Sequence, residues 1–510
     1  MTTSRTLTAA VVAAALFLTG CASDSDTASD DAAVTEDAVA AAPECPTPSP
    51  PPPTGEVAVA QPDDQGQALF DAICAATKTI DIVIYQIGSP QLQQALVAAM
   101  QRGVKVRVVV DGYKASQVEG GEGFASAIRL EAEDAGVPAD ALSINWSSDN
   151  FNITHQKSVI VDAVDDSGAA LSPDALPPSA RLLVSTGNFQ EYQPEVKDPS
   201  SPTPLESPGK FFSARDFYVT TGDKTLIAEA ARVFVSDFSC AGPTVTNDLR
   251  DSTDLVWSNG TTGLYADEVG QYPPVEQGYF GPDKVQQPPP VDQGNSFLYQ
   301  LDLIENAQAG DLVRIYNEEF ASTPFVRAVT EAAQRGVDVQ FVMTYEPPSA
   351  KFGPSQSMVN LSKVAAAVPA DSTLPGVTVT LFGPQAVFPD VLYIHAKAIL
   401  VKGADGSFKG GFVGSENLSS GSMGYNRELG LPLTSADTQV VNLIQETFDA
   451  DFASQANTTQ WNKSNPSAVP DEWNSKPEAP ASDRASADGS PGALEARDTK
   501  PVRCGPVVTG

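Results

Sequence analysis

Two stretches decide how this chain is built: His155-Gln156-Lys157-Ser158-Val159-Ile160-Val161-Asp162 and His395-Ala396-Lys397-Ala398-Ile399-Leu400-Val401-Lys402. Each contains the short apolar, β-branched run of a buried strand, and each opens with His-X-Lys. The chain holds two histidines and only 16 lysines among 510 residues, so a lysine two places after both histidines is no accident of composition. Side chains alternate faces along a strand. His155 and Lys157 therefore project to one side, as do His395 and Lys397, while Asp162 and Lys402 point to the other.

Outward from these strands, further polar residues recur in the same order. Ser185-Thr186-Gly187-Asn188-Phe189 follows the first and Gly414-Ser415-Glu416-Asn417-Leu418 the second, and then come Ala214-Arg215-Asp216-Phe217 and Asn426-Arg427-Glu428-Leu429. An imidazole needs an acceptor on one nitrogen for the other to have a defined tautomer. Asp216 and Glu428 are the carboxylates in place to supply it, Asp216 to His155 and Glu428 to His395. Upstream, residues 80–113 and 311–345 both read strand, helix, strand, and both carry Gln-Arg-Gly-Val, at 101–104 and 334–337, where the glycine stops the helix and a β-branched run starts the next strand. Strands alternating with helices predict an α/β fold, duplicated, with a largely parallel sheet in each half. The second half is expected to begin with Asp254-Leu255-Val256-Trp257, with residues 262–290 inserted after it.

These residues resemble the two HxKx4D repeats of the phospholipase D superfamily, each followed by its GSxN-like segment. The resemblance spans roughly residues 56–462. It implies a duplicated phospholipase D fold: two α-β-α sandwich domains about a pseudo-two-fold axis, with one shared active site. It further implies that His155 is a nucleophile forming a phosphohistidine and that His395 protonates the leaving alcohol and later activates water. Lys157 and Lys397, with Asn188, Asn417, Ser415 and Thr186, would clamp the phosphate. Asp216, Glu428 and Asp162 would support the site, and no metal or cofactor is called for. The chain departs from the pattern at Lys402, which replaces an aspartate, at Thr186, which replaces a serine, and at Asp216, which replaces the commoner glutamate and shortens the reach to His155 by one methylene. Because Lys402 faces away from the histidine, it is expected to alter support and leave the chemistry in place.

Composition bounds the rest. With 64 acidic against 31 basic residues, a net charge of −33, a broad basic face tracking a nucleic-acid backbone is not expected. Five cysteines and two histidines argue against a zinc cluster. The long apolar run lies at residues 1–20, with Arg5 ahead of Leu7 to Leu18, and Leu18-Thr19-Gly20-Cys21 resembles the lipobox of bacterial lipoproteins. This predicts a signal peptide over 1–20, lipidation of Cys21, export, and anchoring to a membrane of the bacterial cell envelope. Residues 21–55 read as a disordered, Pro-rich tether and 463–510 as a loosely ordered, low-complexity tail. Domains are expected at 56–243 and 252–462. Four cysteines remain for an oxidising compartment. Of the three possible pairings, Cys74 with Cys240 and Cys45 with Cys504 is favoured, because the former two end apolar helical stretches and the latter two lie in tails. Asp149 and Asp165-Asp166 read as solvated loops, and Phe189, Phe388 and Tyr393 as packing residues.

The sequence thus predicts a monomeric, lipid-anchored enzyme that cleaves or transfers the phosphatidyl group of phospholipids. An exported nuclease or other phosphodiesterase, and a surface protein that binds phosphate through a weakened site, are the alternatives.

Overall fold

The computed structural model describes residues 56–474, apart from 112–120, 148–150, 152, 190–213, 240–248, 250–251, 253, 260–293, 349–352, 386, 389–390 and 425, together with 505–506. Residues 1–55, with Cys21 and Cys45, lie outside the described residues, as do Asp149, Cys240, the segment 262–290 and Cys504.

The first half supplies strands β1 (Val57–Gln61), β2 (Thr79–Ile84), β3 (Lys105–Val110), β4 (Leu142–Trp146), β5 (Ser158–Val161), β6 (Arg181–Ser185) and β7 (Ala214–Thr221). The second half supplies β8 (Val256–Asn259), β9 (Leu312–Tyr316), β10 (Asp338–Thr344), β11 (Gly376–Phe382), β12 (Tyr393–Ile394), β13 (Ala398–Lys402), β14 (Phe408–Gly414), β15 (Arg427–Leu433) and β16 (Thr458–Trp461), and β17 (Gly505–Pro506) follows. One sheet runs β1-β7-β6-β5-β2-β3-β4-β17 and the other β16-β11-β10-β9-β13-β14-β15-β8. Both lie in one compact unit.

The predicted repeat forms as read. In each half, strand, helix and parallel strand follow in turn: β2, Pro90–Gln101 and β3, then β9, Thr323–Arg335 and β10. Ser89 caps the first of these helices by accepting from the Leu92 N–H, with proline at its first turn. Gly103 and Gly336 end the two helices at φ 92° and 94°, the left-handed conformation that only glycine adopts without strain.

The sheets are mixed, and here the expectation of largely parallel sheets needs correction. Within each half, among the described strands, only β2-β3-β4 and β9-β10-β11 pair in parallel. β5, β6 and β7 meander antiparallel, as do β13, β14 and β15.

Helices cover the outer faces over two separate cores. A third core lies between the halves, where Phe217, Ile227 and Phe234 of the first meet Tyr316, Ile394, Leu431 and Phe448 of the second. Helices Lys224–Phe238 and Thr438–Phe452 contribute to it. Two short pairings stitch the halves at backbone level: β12 of the second half runs parallel to the start of β7, and Thr154 bridges to Arg427.

Two differences concern the chain's outer segments. β8 joins the edge of the second sheet beside β15, close to the strand expected at 254–257. The segment taken as the start of a loose tail belongs to the body as far as Asn474: Trp473 is buried to 1 % against Tyr345 and Phe388, and β17 pairs with β4. Composition could not reveal this, since one aromatic among polar neighbours suffices to dock a segment. Cys74 is disulfide-bonded, with its favoured partner Cys240 outside the described residues. Replacing Trp473 by alanine empties a filled pocket, and unfolding by denaturant should show a loss of about 3–5 kcal/mol.

Candidate active site

Each histidine sits just before its strand, and its backbone is held by the other half. The N–H groups of His155 and Gln156 both donate to the carbonyl of Arg427, at 2.8 Å each. Those of His395 and Ala396 donate to the carbonyl of Arg215, at 3.2 and 2.7 Å. The two arginines are themselves locked across the interface. Arg215 pairs with Asp451 on the last helix of the second half, Nε to Oδ2 at 2.8 Å. Arg427 pairs with Asp237 on the last helix of the first half, Nη2 to Oδ1 at 2.8 Å, and its guanidinium lies 4.4 Å from the Phe151 ring centre.

The carboxylates are crossed as well. His155 Nδ1 lies 2.8 Å from Glu428 Oε2 and 3.0 Å from Oε1, and His395 Nδ1 lies 2.9 Å from Asp216 Oδ1. This corrects the pairing of Asp216 with His155 and of Glu428 with His395. β6 lies between β5 and β7, so a carboxylate on β7 does not reach its own half's histidine, whereas β12 brings His395 directly to it. The concern over the short reach of Asp216 dissolves for the same reason.

Thr186 and Ser415 support these carboxylates. Thr186 Oγ1 donates to Asp216 Oδ1 and Ser415 Oγ to Glu428 Oε2, each at 2.7 Å, and each hydroxyl also accepts the N–H of the residue after the carboxylate, Phe217 or Leu429. Both hydroxyls are thus committed beneath the site, which corrects their expected contact with phosphate. Asn426 adds a third donor to Glu428 at 3.0 Å. Gly187 is dictated by this packing, because a Cβ there would stand 2.2 Å from Asp216 Oδ2.

Lys157 and Lys397 are fully buried and fold back on the carbonyls of their own histidines. The Asn188 amide donates to Gln86 Oε1 at 3.2 Å and that of Asn417 to Glu318 Oε2 at 3.3 Å, while both amide oxygens are buried without a protein partner. Unsatisfied polar atoms at a cleft are what a polar ligand would complete.

Asp162 lies away from the imidazoles, as expected. At φ 54° its carboxylate accepts the N–H groups of Thr77, Lys78 and Thr79 and the hydroxyls of Thr77 and Ser179, pinning the chain as it enters β2. In the second half the register places Lys402 opposite Leu312, and the carboxylate has moved across the ladder to Asp311. Asp311 accepts from the N–H groups of Gln308 and Ala404 and from Lys409 Nζ. The absent aspartate is thus replaced by one from the neighbouring strand. Asp165 closes its own exposed turn through Ser167 and Ala169, in keeping with a solvated loop.

Three site residues escaped sequence reasoning. Tyr85 places its ring 5.0 Å from that of His155. Glu318 Oε2 lies 3.0 Å from Lys397 Nζ and 3.4 Å from His395 Nε2, and the hydroxyl of Tyr393, taken for a packing residue, donates to Glu318 Oε1 at 2.7 Å. Superposing the repeats would have exposed the first two. Val83 opposes Ser158 as Tyr316 opposes Ala398, so Tyr85 and Glu318 hold the same position in the two halves.

Burial pulls the His155 imidazole down to about 4, with Lys157 and Lys397 adding to the effect against the pull of Glu428. Its ring is neutral at pH 7, and with Nδ1–H directed to Glu428 the lone pair sits on Nε2. Burial, with the charge on Lys397, pulls Lys157 down to about 7. Burial opposes the charge on Glu318, but His395 and Lys397 outweigh it and hold the carboxyl well below its usual range. The crossed His–carboxylate contacts place residues of both halves at one site.

A family model described as cardiolipin synthase, PLD-like domain, matches residues 69–190 and 301–452, more than half of the chain and both His-X-Lys strands. The chain belongs to the phospholipase D superfamily. Solved structures of similar fold include polyphosphate kinase from Porphyromonas gingivalis, at 13 % identity and a TM-score of 0.47, covering 80 % of this chain and 49 % of that one. This chain therefore spans about half the length of that kinase. Phosphatidylserine synthase from Haemophilus influenzae Rd KW20 is similar at 11 % identity and a TM-score of 0.49, with 80 % and 87 % covered. Nuc from Salmonella typhimurium, a phospholipase D family member, is similar at 20 % identity and a TM-score of 0.25, with 36 % and 92 % covered. Among the curated proteins none matches. The duplicated phospholipase D fold with its two repeats is thereby established for this chain.

With only two histidines in the chain, imidazole NMR reads each separately. Asp216→Asn should perturb the ring signals of His395 and leave those of His155 in place, and Glu428→Gln should do the reverse; same-half pairing would exchange these outcomes.

Proposed function

We propose that this protein is a phospholipase D-like enzyme that cleaves or transfers the phosphatidyl group of phospholipids through a phosphohistidine on His155. The observation that carries the reading is the state of His155: neutral, oriented by Glu428 through Nδ1, and beside two buried lysines whose charge suits a phosphate. In the first step Nε2 of His155 bonds to phosphorus while the bond to the leaving oxygen breaks, and His395 Nε2 gives that oxygen its proton. In the second, water or another alcohol, deprotonated by His395, attacks phosphorus and releases His155. Lys157, Lys397, Asn188 and Asn417 hold the non-bridging oxygens as charge develops.

Three further features support phospholipid as substrate: the lipobox-like Leu18-Thr19-Gly20-Cys21, the net charge of −33, and a family model described by a cardiolipin synthase. On this reading the protein is exported, anchored through Cys21 and active as a monomer at a membrane surface of the cell envelope. Among the described residues no helix is long and apolar enough to cross a membrane.

The test is turnover of labelled phosphatidylcholine and phosphatidylglycerol vesicles in EDTA, with and without ethanol. Phosphatidic acid without ethanol and phosphatidylethanol with it are the expected products. His155→Ala should abolish both, and His395→Ala should slow them by about 10²–10⁴-fold. Turnover of DNA and none of lipid would favour the nuclease reading, and phosphate binding without any turnover the binding protein.

The pH dependence follows from the same groups. Protonation of His155 removes the nucleophile, so kcat/KM rises with pH through about 4. Loss of the proton from Lys157 removes a phosphate clamp, so kcat/KM falls through about 7. The optimum should therefore be mildly acidic. A bound phosphate favours charged Lys157, which should carry the alkaline limb of kcat to higher pH than that of kcat/KM.

A further inference from the structure

Glu318 breaks the symmetry of the duplicated site. At this position the first half has Tyr85, whose ring lies 5.6 Å from Lys157 Nζ, where the second half sets a carboxylate beside Lys397. In the second half three nitrogens converge on one oxygen of Glu318: Lys397 Nζ at 3.0 Å, Asn417 Nδ2 at 3.3 Å and His395 Nε2 at 3.4 Å. Lys397 and Asn417 are assigned above to the phosphate oxygens and His395 to the leaving oxygen. The other oxygen of Glu318 is held by the Tyr393 hydroxyl, and the side chain keeps 22 % of its surface exposed.

We propose that Glu318 makes the phosphate subsite charge-selective, standing in for phosphate while the cleft is empty, then admitting a phosphodiester monoanion and opposing a phosphate dianion. The inference rests on the reading of the cleft as a phosphodiester site. A ligand oxygen that takes the place of Oε2 leaves the carboxylate beside it, since its backbone continues from β9 and Tyr393 limits its swing. Repulsion between the two scales with ligand charge, so a dianion is opposed twice as strongly as a monoanion. Glu346 lies near enough to act on Glu318, and Glu319, which burial and the charges of Glu318 and Glu346 push up to about 8, adds no charge of its own at neutral pH. The consequence for the reaction is that phosphomonoester products and free inorganic phosphate do not occupy the two lysines. Specificity of this kind comes from a repulsive element built against the wrong ligand.

Binding of inorganic phosphate, at a pH where it is mainly the dianion, is compared by titration calorimetry with binding of dimethyl phosphate, a monoanionic diester. The unaltered protein should bind the diester at least as tightly as inorganic phosphate, despite the smaller charge. Glu318→Gln should tighten inorganic phosphate by about tenfold or more and dimethyl phosphate by less than about threefold, while Glu318→Asp follows the unaltered protein. Preference of the unaltered protein for the dianion would overturn the proposal, and so would equal effects of Glu318→Gln on both probes. The first comparison needs no variant, so it stands even if Glu318→Gln fails to fold. Binding of neither probe by the unaltered protein would sink the phosphodiester reading of the cleft, and this proposal with it.

Discussion

The active cleft depends on one reciprocal constraint: each half carries the histidine that the other half holds in place. Arg215 and Arg427 each offer a carbonyl to the opposite histidine and a guanidinium to an aspartate on the opposite half's last helix. The residue after each arginine, Asp216 or Glu428, fixes the same imidazole through Nδ1. A Cα-to-Cα step of one residue thus ties backbone, ion pair and tautomer together. Buried ion pairs of this type are expensive to break, at about 3–5 kcal/mol for removal of one partner. Neither half can drift without misplacing the other's imidazole, so the interface and the active site are one structure.

The duplication is symmetric in its scaffold and asymmetric in its charge. Thr186 and Ser415 play the same supporting part, as do the two crossed carboxylates, and the two lysines fold back identically on their histidine carbonyls. Two departures break the match. Asp162 anchors its half from the end of the His-X-Lys strand, whereas Asp311 does so from the neighbouring strand, which leaves Lys402 free of that duty. Tyr85 faces Glu318 across the pseudo-symmetry. An aromatic ring stands beside His155 and the carboxylate of Glu318 beside His395. Under the proposed mechanism His155, the neutral imidazole, takes the nucleophile's part and His395, beside Glu318, the acid's.

Residue patterns made much of this legible. The His-X-Lys pairs, the Gln-Arg-Gly-Val repeats and the ordered return of Asn188 and Asn417, and of Asp216 and Glu428, announced the duplication and most of the cleft. Trp473 was overlooked because a single buried aromatic leaves no periodic trace. Tyr85, Glu318 and Tyr393 were overlooked because each lies outside any motif and acquires meaning only beside a histidine distant in sequence.

Local patterning, then, determined the elements, their repetition and the chemical types gathered at the cleft, because strand periodicity, glycine stops and the scarcity of histidine are properties of short stretches. Which carboxylate serves which imidazole, whether a hydroxyl meets phosphate or a buried acid, and which lysine faces a counter-charge were decided only by tertiary structure. Those outcomes depend on distances of about 3 Å between residues 13 to 273 positions apart, Ser415 and Glu428 at one extreme and His155 and Glu428 at the other. The folding of each half sets those within it, and only the docking of the two halves brings His155 to Glu428 and His395 to Asp216.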